Sequence, residues 1–181
     1  MKREPILALL STYLINYPQE AQTVTRFKDF VRSYADCFER SQQVGHVTGS
    51  AWVVNEAGTH VLLTHHKKLN QWFQLGGHAD GESDILKAAL LEVAEESGLA
   101  AFEPVSAEIF DIDIHAIPAR GDELEHYHYD VRFAVRAVGS DDYIVSEESH
   151  DLSWVEIGNL ADFTCEESMM RMAGRWQAFV Q

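Results

Sequence analysis

The chain has 181 residues, with 29 Asp and Glu against 14 Lys and Arg, so its formal net charge is −15. At 46% hydrophobic and 24% charged it is a folding rather than a disordered chain, long enough to bury roughly 70% of its unfolded surface in one main domain. The acidic excess excludes a general binder of nucleic-acid polymers or anionic membranes, because both partners are polyanions.

Residues 1–43 read as helical. Ile6, Leu9, Leu10, Tyr13 and Leu14 recur at helical spacing, and Asn16-Tyr17-Pro18 breaks the pattern. A second stripe follows with Val24, Phe27, Val31, Tyr34 and Phe38. This hairpin is expected to dock on the main domain or on a partner subunit, which leaves a homodimer contact open. The division expected is a helical extension over 1–43 and a main domain over 44–181. Met1-Lys2-Arg3 precedes an apolar run, but Glu4 interrupts it and no clear cleavage pattern follows, so an ordinary helix is favoured over a signal segment. No apolar stretch reaches the ~20 residues that span a bilayer. Cys37 and Cys165 form no metal or redox spacing motif and read as reduced thiols in a cytoplasmic protein.

After Gly45 the period changes. Residues 47–55 and 60–65 read as strands around the turn Glu56-Ala57-Gly58. A loop then leads through Trp72 to the glycine pair Gly76-Gly77, and a helix is expected over 83–97, ending at Gly98. Further strands are expected at 105–117, 124–138 and 153–156, the first two as a hairpin with Arg120-Gly121-Asp122 at its turn. A closing helix covers 166–180.

The helix after the glycine pair carries the chemistry. Glu92, Glu95 and Glu96 stand at i, i+3 and i+4 and share one face. Like charges so placed repel, and a cation among them removes the penalty; carboxylates are what Mg²⁺ and Mn²⁺ prefer. Gly76 and Gly77 let backbone approach a ligand, so that a loop carbonyl joins the carboxylates. The alternative is a solvated acidic helix face after a turn.

The segment Gly77 to Leu99 resembles the Nudix box, G-x5-E-x7-R-E-U-x-E-E-x-G-U, where U is a bulky aliphatic residue. Gly77, Glu92, Val93, Glu95, Glu96, Gly98 and Leu99 match their positions without gaps. Ser83 stands where the family has Glu, and Leu91 where it has Arg. Glu82 is the neighbour that would partly replace the missing carboxylate, and Ser83 is instead placed to cap the helix. The resemblance covers roughly 45–181. It implies an α/β fold, the Nudix-type α/β/α sandwich with a mixed sheet, here carrying the N-terminal helical hairpin. It implies that Glu92, Glu95, Glu96 and the carbonyl of Gly76 bind Mg²⁺ or Mn²⁺. It implies too that a glutamate before the Trp154 strand acts as a further ligand or general base; Glu148 is chosen over Glu147 by its distance from Trp154. The activity implied is metal-assisted attack of water on the diphosphate linkage of a small nucleotide-type substrate, a nucleoside diphosphate linked to another moiety.

Nine histidines are many for this length. His126 and His128 share a strand face, with His115 on the other strand of the hairpin and Asp111, Asp113 and Asp130 nearby. Such a group suits zinc or a substrate, though a polar sheet face lining a cleft is the reading preferred. His78, Arg132 and Trp72 are the candidate substrate contacts. His65, His66, Lys67, Lys68 and Arg120 join Arg132 as sources of positive charge for phosphates. Two other functions share this resemblance. A nucleotide-sensing domain without turnover is favoured by Ser83 and Leu91 and opposed by the three intact glutamates. An isopentenyl-diphosphate isomerase fits Gly77-His78, but it needs a cysteine beside that loop, where Leu75 and Gly76 stand, and usually lacks the pair Glu95-Glu96.

Overall fold

The computed structural model describes residues 2–67, 70–121, 124–146 and 149–180. Two strands form its centre. β1 (Gly45–Val54) runs parallel to β7 (His126–Ala137), in register from Gly45 opposite Tyr127 to Val54 opposite Arg136. All ten residues of β1 are buried, as expected of a parallel strand covered on both faces.

Each central strand has two antiparallel neighbours on its outer edge. β4 (Leu75–His78) covers Thr48–Ala51 of β1, and β2 (His60–His66) takes over at Val54. β2 continues to β3 (Gln71–Phe73) and β8 (Ser149–Glu156). On the edge of β7, β6 (Asp111–Ile117) covers residues 126–132 and β5 (Phe102–Pro104) covers 135–137. The eight-stranded sheet is therefore mixed.

Side chains alternate across it. Val47, Tyr129, Val131 and Phe133 share one core cluster with Ile85 and Ala89 of α3 (Ile85–Ser97). The same cluster takes Ile6, Leu10 and Tyr13 of α1 (Glu4–Asn16) and Val24, Phe27, Phe30 and Val31 of α2 (Ala21–Ser33). The Phe30 ring stacks on Tyr129 at 3.8 Å, so the N-terminal hairpin docks on this chain's own sheet. On the opposite face Trp52, Val54 and Ala134 pack with Met169, Met172, Ala173 and Trp176 of α4 (Glu167–Phe179). No helix among the described residues is long and apolar enough to cross a membrane.

Three expectations change. The second helix stops at Ser33 rather than reaching Phe38. Phe38 is still buried, in the linker, whose Cys37 carbonyl accepts from Val47 N–H and whose Phe38 carbonyl accepts from Gly81 N–H. The strand expected over 105–117 starts only at Asp111. The glycine pair, expected in a loop, is a strand: Gly76 and Gly77 pair with Ser50 and Gly49 of β1.

Candidate functional site

The site is built where α3 meets β4. Asp84, not Ser83, caps the helix, its side chain accepting from the Lys87 N–H. Gly98 closes it with φ of 60°, a left-handed conformation that favours glycine. A Cβ on Gly76 would run into the Ser50 hydroxyl and backbone, and one on Gly77 would run into the Glu92 carboxylate. The Gly76 N–H donates to Oε2 of Glu96 at 2.8 Å. Two carboxylates from successive helical turns are thereby drawn against one bare stretch of backbone. Glu96 is 9% exposed, Glu92 is half-buried, and Glu95 faces solvent. Glu82 does not join them: it pairs with Lys87 at 2.6 Å, and that hydrogen bond holds its carboxyl down at about 2.

The sheet face away from α3 carries a polar row beside this backbone. Asp130 accepts from Thr48 Oγ1 and Ser50 Oγ, both at 2.8 Å, and from Arg132 Nε at 2.7 Å. Burial opposes its charge, but Arg132, His115 and the Ser50 hydroxyl outweigh burial and hold its pKa below the usual range. Arg132 also donates to Asp111 at 3.1 Å, and Arg171 of α4 grips Asp111 with two bonds at 2.8 and 2.9 Å. Arg175 ties the same carboxylate to Tyr13 and Glu20 at the N-terminal end of the chain.

Toward the start of β1 the row becomes imidazole. His46 lies opposite His128 across the β1–β7 ladder, and His78 lies opposite Thr48. The ring centroids are 4.8 Å apart for His46–His128, 4.9 Å for His46–His78 and 5.2 Å for His78–His128. Burial, and after it the neighbouring His78 and His126, push His46 down to about 4. Burial, then His46, His115 and His78, push His128 down to about 3. Both rings are therefore neutral at pH 7.

A family model described as the NUDIX domain matches residues 45–172. The chain belongs to the Nudix family. Its fold is shared by solved structures of low identity. A C. elegans Ap4A hydrolase superposes with a TM-score of 0.56 at 16% identity, over 75% of this chain and 98% of that one. A MutT protein from Methanosarcina mazei Go1 gives 0.56 at 17% identity, over 77% and 98%. The NUDIX domain of Shewanella oneidensis NrtR, complexed with ADP ribose, gives 0.54 at 12% identity, over 85% and 98%. No curated protein matches the chain closely enough to count as a relative.

In this Nudix protein the box Gly77–Leu99 comprises the end of β4, a turn and α3. Of the residues picked out in the sequence, the fold brings Gly76, Glu92 and Glu96 together, with Glu95 on the same helix. Leu91, where the family has Arg, is 57% exposed. Glu148 and its neighbour Glu147 lie outside the described residues, as does Lys68. Trp72 is half-buried and stacks on His65, with centroids 4.9 Å apart and planes 16° apart. Arg132, expected as a substrate contact, is 2% exposed. Its guanidinium is engaged by Asp130, Asp111 and Asp113, so it braces the sheet rather than facing a ligand. Sequence reasoning did not find His46. The alternation His46-Val47-Thr48-Gly49-Ser50 was the available signal, since it places an imidazole and two hydroxyls on one strand face.

Proposed function

We propose that this protein hydrolyses a phosphoanhydride linkage in a small nucleotide-type substrate, with Glu92, Glu95, Glu96 and the Gly76 carbonyl holding Mg²⁺ or Mn²⁺. The observation that carries this reading is the contact of Glu92 and Glu96 with Gly76-Gly77. It supplies an all-oxygen donor set, suited to a hard cation, around a cradle that a single Cβ would fill. Family membership supports the phosphoanhydride chemistry. The cation would neutralise phosphate charge and lower the pKa of a bound water.

The chain's own residues supply the rest. The Gly76 N–H fixes one oxygen of Glu96, which orients that carboxylate before any ligand arrives. Glu148 is the proposed proton acceptor, from its place before the Trp154 strand. The flat Trp72–His65 stack offers a base or sugar a surface, and His78 stands two residues from Gly76 on the same strand. Both cysteines are free, in keeping with a cytoplasmic setting.

A hydrolysis screen with Mg²⁺ or Mn²⁺ tests this reading, using nucleoside diphosphate sugars, ADP-ribose, dinucleoside polyphosphates, NADH and nucleoside triphosphates. Glu95→Gln and Glu96→Gln are expected to cut turnover at least ~100-fold with an unchanged melting curve. The Glu96→Gln side chain still has an amide oxygen to accept from the Gly76 N–H. Nucleotide binding without turnover across the panel would select the sensor instead. The isomerase is disfavoured by Cys37, whose buried thiol is pushed up to about 11 and so stays protonated at neutral pH.

A further inference from the structure

We propose that His46, His78 and His128 form a second cation site, beside the glutamates and of different chemistry, that takes a divalent transition ion of the zinc class. Three strands far apart in sequence, β1, β4 and β7, each deliver one imidazole to the same face. One ring nitrogen from each lies within 4.8 Å of the other two. Three nitrogens bound tetrahedrally to zinc at ~2.1 Å stand about 3.4 Å apart, with ring centres about 5 Å apart. The observed centroid separations of 4.8 to 5.2 Å already meet that spacing, so small ring rotations bring the donors into place.

The second observation concerns what these rings lack. His46 is 2% exposed, and neither of its ring nitrogens makes a hydrogen bond of acceptable geometry among the described residues, although the Gln42 backbone lies near the ring. The buried Nε2 of His128 likewise has no partner among the described residues. An unsatisfied buried nitrogen is destabilising, and a polar cluster that leaves several unsatisfied at one point calls for a ligand there. An ion at the centre of the triangle takes one nitrogen from each of the three rings. His46 and His128 carry the neutral form that a metal requires.

Donor chemistry separates the two sites. Imidazole suits zinc, copper, iron and nickel, whereas the carboxylates and carbonyl around Gly76 suit magnesium and manganese. His115 packs edge-on against His128 and fixes its own Nδ1 on Asp113 at 3.0 Å, so it frames the triangle rather than completing it. Three protein ligands leave a fourth position for water or another oxygen. On the hydrolase reading, that position is where a phosphate oxygen of the substrate would sit, because His78 and Gly76 share β4.

Cobalt is the probe, since it substitutes for zinc and reports its geometry in the visible spectrum. The full chain, stripped with a chelator, is titrated with Co²⁺. One equivalent should bind with the intense bands of a tetrahedral, nitrogen-rich site. Zn²⁺ should displace it, and a large excess of Mg²⁺ should not. The signal should survive in the Glu92→Gln/Glu95→Gln double variant. It should weaken at least tenfold in His78→Ala and His128→Gln, with circular dichroism and melting confirming the fold. His46 is fully buried, so the half-exposed His78 gives the deciding variant. No stoichiometric Co²⁺ binding, or a weak octahedral signal lost with the glutamates and kept without the histidines, overturns the proposal. Failure of the hydrolysis screen would overturn the enzyme reading alone and leave the cobalt result standing.

Discussion

At the scale of single residues, Gly77 is the most informative position in the site. A Cβ there would sit closer than 3.0 Å to every atom of the Glu92 carboxylate group. Those atoms are the far end of a flexible side chain, so the helix and strand need not move; the carboxylate must. Gly77→Ala is therefore expected to leave the melting temperature within a few degrees of the parent, while turnover falls at least tenfold and the Mg²⁺ requirement rises. Steady-state assays across a Mg²⁺ series beside a thermal melt check this. A large loss of stability with normal turnover per folded molecule would refute it. The glutamates were legible because α3 is a local element: i, i+3, i+4 places them on one face whatever the rest of the chain does. The capping residue was not. Ser83 and Asp84 are adjacent and equally suited to the role, and only the path of the chain out of β4 selects Asp84. The burial of Arg132 was equally hidden, since Asp111 reaches it from another strand and is itself held by Arg171 of the last helix.

At the scale of elements, periodic segments were read well and glycine-rich ones were not. α1 and α4, β2 and β7 lie close to where their patterns put them, because apolar stripes survive in any tertiary setting; α2 starts where expected but stops at Ser33. β4 escaped notice since two adjacent glycines read as a loop. Here they are a strand whose lack of side chains lets Ser50 and Glu92 approach from its two faces. The N-terminal hairpin was legible as two helices but not as part of the main core. Its Phe27 and Phe30 cover Tyr129, and its linker carries Arg40, which donates to Asp80 at 2.6 Å beside the turn that follows β4. Removing residues 1–43 strips this cover from Tyr129 and Val131 and leaves Asp111 without Tyr13 and Glu20 behind it. The truncated chain is expected to be insoluble, or to melt at least ~10 °C below the full chain, given that burying even one such aromatic is worth about 1.5–3 kcal/mol. A soluble truncation with the parent melting point would show that the hairpin is an appendage.

At the scale of the whole molecule, the net charge of −15 is unevenly distributed. Between Gly76 and Leu99 six acids face Lys87 alone, while the opposite sheet face balances aspartates with arginines and ends in the neutral His46 and His128. That distribution fixes how stability responds to acid. His46 is held at about 4 and His128 at about 3, against 6.5 for an ordinary histidine. Around them stand His78, His115, His126, Arg40 and Asp130; burial is the largest influence, and Asp130 pulls the other way on His128. Both folded pKa values lie below the unfolded one, so the contribution is complete above about pH 6.5. Below it the unfolded chain takes up protons that the folded chain refuses, and stability falls as the pH drops toward 4. Each unit of displacement is worth about 1.4 kcal/mol, so the pair puts several kcal/mol at stake in order of magnitude. Acid also relieves self-repulsion among the excess carboxylates, but most of those do not begin to protonate until about pH 5. Between pH 6.5 and 5 the histidines dominate. Denaturant midpoints of the metal-free chain are expected to fall steadily from pH 7 to pH 5, and the His128→Gln variant should show a shallower slope. A midpoint that is flat or rising on acidification would mean that the cluster is not held neutral. With Zn²⁺ present the decline should steepen, because protons and the ion then compete for the same three nitrogens.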